Sequence, residues 1–413
     1  MSSLDDFNKN QSDIENARKS NENKHPTGLE PGYKLKGPKG SITSKPQNTG
    51  DINEFDDILE ELGLDPKIYE VIQPVEVRTW DSMVDGGTRL YYYKAKIQSK
   101  QPINDNDPDY DALLKEVKKV KKPKLPKVDK NDSVVIAWSD WQLGKPDGDG
   151  TEQIVERLNQ MIPDFTHYVK ELRKSGKKLK NLNILSLGDI IENCSGHYDT
   201  QTFGVQLNLR DQVKVARRIM VKAITEWAPL FDNVVISAIS GNHGENRNNG
   251  KTYTDFADNH DVAIFEQVQE ILSQNPKAFG HVKFLIPESE LSATVEISGK
   301  VVGLAHGHQF RSGVSLKSGK YAFDKGIRWF AGQCMGREPI GDSDLIVTGH
   351  FHHFFTISNR GRWFMQCPSV DGGSTWFKDI SGDWSPPAQV VFTMSSEDKM
   401  YFWDNLKFLP YKS

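Results

Sequence analysis

The chain has 413 residues and a formal net charge of −4, from 52 Lys and Arg against 56 Asp and Glu. This length allows two or three domains, and the near-balance excludes a wholly basic coat protein or an acidic solvating tail while permitting a local basic patch. With 37% apolar residues the composition is lean for a chain packed throughout, and no run approaches the ~18 apolar residues of a membrane span.

Residues 1–52 are dominated by Asn, Ser, Lys, Gly and Asp. They carry too little apolar surface to offset chain entropy, so a disordered arm is expected. Met1-Ser2-Ser3-Leu4-Asp5-Asp6 shows no basic stretch before an apolar one, so no signal peptide is expected. Cys194, Cys334 and Cys367 are too few and too scattered for a disulfide framework. A reducing compartment, the cytoplasm, is the expectation.

Phe55, Ile58, Leu59 and Leu62 fall at helical spacing, with Gly63 suited to a C-cap. Val75–Trp80 alternates as a strand, a turn follows over Val84–Gly87, and Arg89–Ile97 reads as a second strand. Residues 53–107 are therefore expected to form a small helix-plus-hairpin module. Residues 108–130 read as a Lys-rich linker, with Lys at eight of the sixteen positions from Lys115 to Lys130. Such a run is either a solvated connector or an electrostatic arm for a polyanion.

From 131 to 413 the pattern changes again. Val134–Trp138, Ile184–Leu187, Val234–Ile239, Val301–Ala305 and Leu345–Thr348 are short apolar runs, as strands buried on both faces are. Gln153–Leu172 and Leu209–Trp227 carry helical periodicity. An α/β layered domain is predicted, with its chemistry on the loops at strand ends.

Polar residues cluster where each of those runs stops. Ser139-Asp140-Trp141-Gln142 follows the first, and Gly188-Asp189-Ile190-Ile191-Glu192 the second. Gly241-Asn242-His243 follows the third, His306-Gly307-His308 the fourth, and Gly349-His350-Phe351-His352 the fifth. Carboxylates and imidazoles suit Mn2+, Fe2+ and Zn2+. Six or seven donors exceed what one ion needs and match two ions about 3.5–4 Å apart, the spacing used for in-line displacement at phosphorus.

In this order the motifs resemble the calcineurin-like metallophosphoesterase superfamily, whose pattern is Asp-x-His, Gly-Asp-x-x-Asp, Gly-Asn-His-Asp/Glu, a His, and Gly-His-x-His. The resemblance spans about residues 131–370. It implies a β-sandwich of two sheets flanked by helices, with a dinuclear site. One ion would be held by Asp140, Gln142, Asp189 and His352, the other by Asp189, Asn242, His306 and His350. Mn2+ is the expected metal, with Fe2+, Zn2+ and Mg2+ as alternatives. His243 matches the catalytic His and Glu192 the carboxylate that orients it. Two positions depart from the pattern. Gln142 stands where the family has His, and Gly244 stands where Asp or Glu often follows the catalytic His, with Glu245 one residue late. Asn193 replaces the Arg usual in the phosphoprotein phosphatases, so the arrangement resembles the DNA-repair exonuclease branch. Its Ser-Asp-Trp-Gln-Leu-Gly-Lys form is similar to phage-encoded members, which implies a host cytoplasm.

Several segments bear on the substrate. Arg311, Lys317, Lys320, Lys325, Arg328 and Arg337 interleave with Phe310, Tyr321, Phe323, Trp329 and Phe330. This is either a phosphate-and-stacking surface or an amphipathic helix with its aromatics in the core. Arg210, Lys214, Arg217 and Arg218 crowd one helix. Arg247, just after the third motif, is a candidate to hold a phosphate, and His197 is either a substrate contact or an ordinary loop His. His308 is either a group behind the metal ligands or a solvent-facing side chain, and Cys194 reads as a packed thiol. The expected activity is phosphodiester hydrolysis, with DNA as substrate and partner. The alternatives are a phosphomonoesterase or small-nucleotide phosphodiesterase, and a nucleic-acid-binding protein with a degenerate metal site.

Overall fold

The structure is a computed structural model that describes residues 29–36, 39–50, 52, 54–67, 69–82, 88–100, 108–125, 132–198, 201–248, 250–288, 290–310, 319–373, 385–397 and 401–411. It divides into two compact units, Met1–Pro108 and Asp109–Ser413. No helix among the described residues is long and apolar enough to cross a membrane.

The first unit is an antiparallel sheet of β1 (Gly32–Lys36), β2 (Lys39–Thr43), β3 (Tyr69–Ser82) and β4 (Thr88–Ser99), in the order β1-β2-β4-β3. The helix Asp56–Glu61 lays Ile58 and Leu59 against Ile42, Tyr93, Ala95 and Ile97. The expected turn at 84–87 lies outside the described residues. So do residues 1–28, 37, 38 and 51 of the expected arm, but for its described residues the expectation is corrected. Ile42 pairs with Ala95 in the sheet and is buried, and the Ser44 hydroxyl accepts the Tyr93 N–H at 2.9 Å. A composition averaged over fifty residues conceals a short hairpin. Its burial depends on the Tyr- and Ile-bearing β4, which lies fifty residues further on.

The helix Pro108–Lys119 belongs to the second unit from Asp109 onward. The linker expectation is corrected here, because Leu113 and Val117 are buried in the main core. The spacing of Leu113, Val117 and Val120 makes one apolar stripe, while Lys115, Lys118 and Lys119 face solvent. The Asn275 amide fixes the helix end by donating to the carbonyls of Val117 and Val120 at 2.8 and 3.1 Å. Lys127 and Lys130 lie outside the described residues.

Six strands form the first large sheet: β5 (Asp132–Trp138), β6 (Leu179–Ser186), β7 (Asn233–Ala238), β10 (Val282–Leu285), β16 (Gln389–Met394) and β17 (Trp403–Leu409). Their order is β10-β7-β6-β5-β16-β17. The first four of that order run parallel, and β16 is antiparallel to both neighbours. The second sheet holds β11 (Ser292–Ile297), β12 (Lys300–Ala305), β13 (Leu345–Thr348), β14 (Phe355–Asn359) and β15 (Arg362–Gln366), in the order β11-β12-β13-β15-β14. A two-residue hairpin, β8 (Arg247–Asn248) with β9 (Lys251–Thr252), stands apart.

The period of two along each strand assigns its faces. Val134, Ile136 and Trp138 of β5 meet the helices Gly150–Lys174, Leu209–Trp227 and His260–Ser273. Val135 and Ala137 meet Val302, Leu304, Leu345 and Val347 of the second sheet. On that sheet's outer face, Ile346 and Phe364 pack against Trp329 and Phe330 of the helix Gly319–Gly336. The result is four layers, helix, sheet, sheet and helix, as the sandwich expectation required. The parallel arrangement within each sheet brings the carboxyl ends of β5, β6 and β7 to one edge, beside those of β12 and β13.

Candidate metal centre

Strained backbone marks that edge. Among the described residues ten non-glycine positions have positive φ, and six lie in the motif loops: Asp140 (50°), Gln142 (44°), Asp189 (54°), Asn193 (67°), His350 (69°) and His352 (59°). Each such residue costs of order 1–3 kcal/mol and persists only where its surroundings over-determine it. Two glycines make the close approach possible. A Cβ on Gly188 would stand 2.4 Å from the Gly241 nitrogen, and one on Gly241 would stand 2.2 Å from the Asp189 nitrogen. Buried Asp261 clamps the same two loops, its carboxylate accepting the N–H groups of Asp189 (2.7 Å), Ile190 (3.0 Å) and Gly241 (3.1 Å). Gly241→Ala should therefore lower stability by about 1–3 kcal/mol, the usual range for overpacking, seen as an earlier urea midpoint.

The clamped loops aim side chains at one another. Asp189 Oδ2 lies 2.9 Å from His306 Nε2, and Asp189 Oδ1 accepts the His243 backbone N–H at 2.7 Å. His306 Nδ1 donates to the Leu187 carbonyl at 2.6 Å. That bond turns Nε2 toward Asp189 and toward Asn242 Oδ1, 3.1 Å away. A backbone carbonyl behind the ring is the usual way of orienting an imidazole ligand. Asp189, His306 and His350 each offer a ligand atom, all within 4.8 Å of one another. Burial alone would lower the His306 pKa, but the Asp189 and Asp140 carboxylates raise it to about 9. This is a position where negative charge calls for a cation. Burial and the neighbouring His306 push His350 down to about 3, keeping it a neutral imidazole able to coordinate. This donor set fits a divalent ion.

The second group is arranged differently. Asp140 accepts the His350 backbone N–H at 3.0 and 3.2 Å and the Ser139 hydroxyl. His352 Nε2 stands 3.4 Å from Asp140 Oδ1. The Gln142 amide oxygen, however, accepts from Lys145 Nζ at 2.9 Å. The same ammonium is ion-paired with buried Asp371, whose other oxygen lies 3.7 Å from His352 Nδ1.

Beside these groups sits a proton-bearing pair. His243 Nδ1 is 3.3 Å from Glu192 Oε2 and 3.1 Å from the Glu192 carbonyl, and Tyr198 donates to Glu192 Oε1 at 2.7 Å. Burial would depress His243, but Glu192 and then Asp189 outweigh it and raise the ring to about 10. His197 stacks on His243, with centroids 4.5 Å apart and planes within 4°. Burial first, then the charge of His243, pushes His197 down to about 4. His197 and Arg247 line a polar recess together with Ser195, Tyr198, Thr202 and Asn248.

All nine motif residues named from sequence thus gather at this edge, and the other assignments separate. Arg247 is held by Glu245 through Nε at 2.7 Å and Nη2 at 2.6 Å. Glu245 also stands 3.6 Å from His308 Nε2. Cys194 is half-buried, its sulfur receiving the Gln212 amide at 3.6 Å. Arg210 is exposed and makes no described contact with the cluster. Arg217 is buried, donating to Gln267 at 3.1 Å and lying over the Tyr110 ring, so that helix does not present a single basic face. Phe310, Trp329 and Phe330 belong to a core cluster, which realises the amphipathic-helix alternative for those three. Arg311 and Lys317 lie outside the described residues.

Lys145, Asp371, Tyr198 and Asp261 escaped the sequence reading. Asp261 opens a helix and reads as an ordinary first-turn acid. Lys145 closes the Ser-Asp-Trp-Gln-Leu-Gly-Lys form but carries no role there, Asp371 belongs to no motif, and only the fold joins the two.

No protein-family model matches the chain, and no curated protein matches it. Among solved structures, vacuolar protein sorting 29 from Cryptosporidium parvum matches at 14% identity, over 64% of this chain and 86% of that one, with a TM-score of 0.27. The zinc complex of vacuolar protein sorting 29 from Entamoeba histolytica matches at 14%, over 67% and 96%, with a TM-score of 0.27. An archaeal phosphodiesterase matches at 12%, over 67% and 99%, with a TM-score of 0.29.

Proposed function

We propose that this chain is a metal-dependent phosphoesterase of the calcineurin-like superfamily, hydrolysing phosphodiester bonds with DNA as its substrate. The observation that carries the reading is the convergence of Asp189, His306 and His350 within 4.8 Å, beside a His243 held by Glu192. A divalent ion held by these three residues and Asn242 would serve as a Lewis acid toward a phosphoryl oxygen; mixed carboxylate and imidazole donors suit Mn2+, Fe2+ and Zn2+, and Mn2+ is the ion proposed.

The protein's own groups supply the rest. His243 keeps its proton at neutral pH and is partly exposed, so it can hand that proton to the leaving oxygen. Glu192 holds the ring in place, and Tyr198 and the Gln201 amide hold Glu192. The sign of the shift sets the pH dependence. A pKa raised to about 10 keeps the acid form through neutrality, and the rate should fall as pH rises through that value. Glu192→Gln removes the strongest of the raising influences. Its alkaline limb should move toward the ordinary imidazole range, which a pH–rate profile would show.

Nucleic acid is favoured over a phosphoprotein by two features. Lys115, Lys118, Lys119, Lys121 and Lys124 are exposed on the catalytic unit and suit a phosphate backbone. Asn193, in place of the Arg usual in phosphoprotein phosphatases, donates to the His243 and Glu245 carbonyls at 2.9 and 3.2 Å. Asn193 supports the DNA-repair exonuclease branch, and the Ser139–Lys145 form supports a phage-encoded member acting in a host cytoplasm. Purified protein with Mn2+ should release nucleotides from single- or double-stranded DNA. Cleavage of small phosphoesters alone would replace the nuclease reading with that of a small-substrate phosphoesterase.

A further inference from the structure

We infer that this centre takes one divalent ion rather than two, the ammonium of Lys145 standing in place of the other. The inference rests on the metallophosphoesterase reading and concerns the half of the site built from Asp140, Gln142 and His352. Three observations carry it. The Gln142 amide oxygen, the donor at the position where the resemblance places a His ligand, already accepts from Lys145 Nζ at 2.9 Å. Lys145 is itself anchored by a nearly inaccessible carboxylate, Asp371, with side-chain exposures of 13% and 1%. Asp371 is in turn fixed by its loop, since its backbone N–H donates to Ser369 Oγ at 2.9 Å and Ser369 Oγ donates to the Asp140 carbonyl at 2.8 Å.

These contacts leave little for a second ion to do. An uncharged amide is a weaker donor than the imidazole it replaces, and here its lone pairs face a fixed positive charge. Two like charges within a few ångströms in a site of low dielectric repel strongly. A divalent ion at Asp140 and His352 would therefore have to displace Lys145 and leave Asp371 buried without its counter-charge, which is costly. An ammonium on a flexible stem can in turn donate to a phosphoryl oxygen, as the phosphate-binding lysines of other folds do. The Asp189, His306, His350 and Asn242 half has no such competitor among the described residues.

The test is a count of bound ions. Full-length protein is dialysed against saturating Mn2+, and metal per chain is measured together with the electron paramagnetic resonance spectrum. One ion per chain with an isolated six-line Mn2+ signal is the expected result. In Lys145→Ala, with Gln142 and Asp371 released, the count should rise toward two and an exchange-coupled signal should appear. Two ions in the unmutated protein would overturn the inference and leave the phosphoesterase reading standing. No ion at all would remove that reading and the inference with it. A Lys145→Ala count that stays at one would show that Lys145 is not what excludes the second ion. Should that variant fail to fold, the count on the unmutated protein decides alone.

Discussion

Asp189→Ala should empty the metal site and reduce phosphodiester hydrolysis by about 10^2–10^3-fold, the scale on which a lost electrostatic stabiliser is felt in catalysis. The expectation follows from how many contacts meet on one carboxylate. Asp189 Oδ2 faces His306 Nε2 at 2.9 Å, and Oδ1 accepts the His243 N–H at 2.7 Å. Its removal therefore takes away an anionic ligand and loosens the loop that carries Asn242 and His243. The fold should survive, because the Asp261 clamp bonds to backbone N–H groups that alanine retains. Metal analysis and circular dichroism on the same sample separate the two effects: metal lost and secondary structure kept. A variant that retained both metal and turnover would show that Asp189 is not a ligand.

His243→Ala should leave the metal content unchanged and lower turnover on DNA by about 10^2–10^4-fold, the contribution of a positioned general acid. The backbone N–H that bonds Asp189 remains in this variant, so the cluster keeps its geometry. A second measurement identifies the role. On a nitrophenyl phosphodiester, whose leaving group departs readily without a proton, the loss should be much smaller than on DNA. Equal losses on the two substrates would show that His243 acts on the phosphoryl group and does not protonate the leaving oxygen.

Much of this site was legible in the sequence because its signals are local. A strand buried on both faces writes a short apolar run, and Val134–Trp138 or Leu345–Thr348 can be read as such without a partner. The polar residue that ends each run is then placed by the strand itself. Distances between motifs were not legible, nor were groups that meet the motifs only in three dimensions. Asp371 follows β15 by five residues in a loop with no pattern, and it reaches Lys145 across more than two hundred residues. The Gln142 departure could be seen in the sequence, but the ammonium bonded to it could not. The hairpin of β1 and β2 was missed for a related reason, since its apolar partners, Tyr93, Ala95 and Ile97, lie on β4. The basic and aromatic segment between the fourth and fifth motifs left two readings open because periodicity cannot say what an aromatic face packs against. For Phe310, Trp329 and Phe330 the partners are Ile346 and Phe364 of the second sheet.

Catalysis requires, above all, a cation bound where the carboxyl ends of β6, β12 and β13 meet. Crystals soaked in Mn2+ and measured at the manganese absorption edge would locate it directly. An anomalous peak in bonding contact with Asp189, His306 Nε2 and His350 is the predicted result. A saturated crystal with no peak at those three side chains would contradict it.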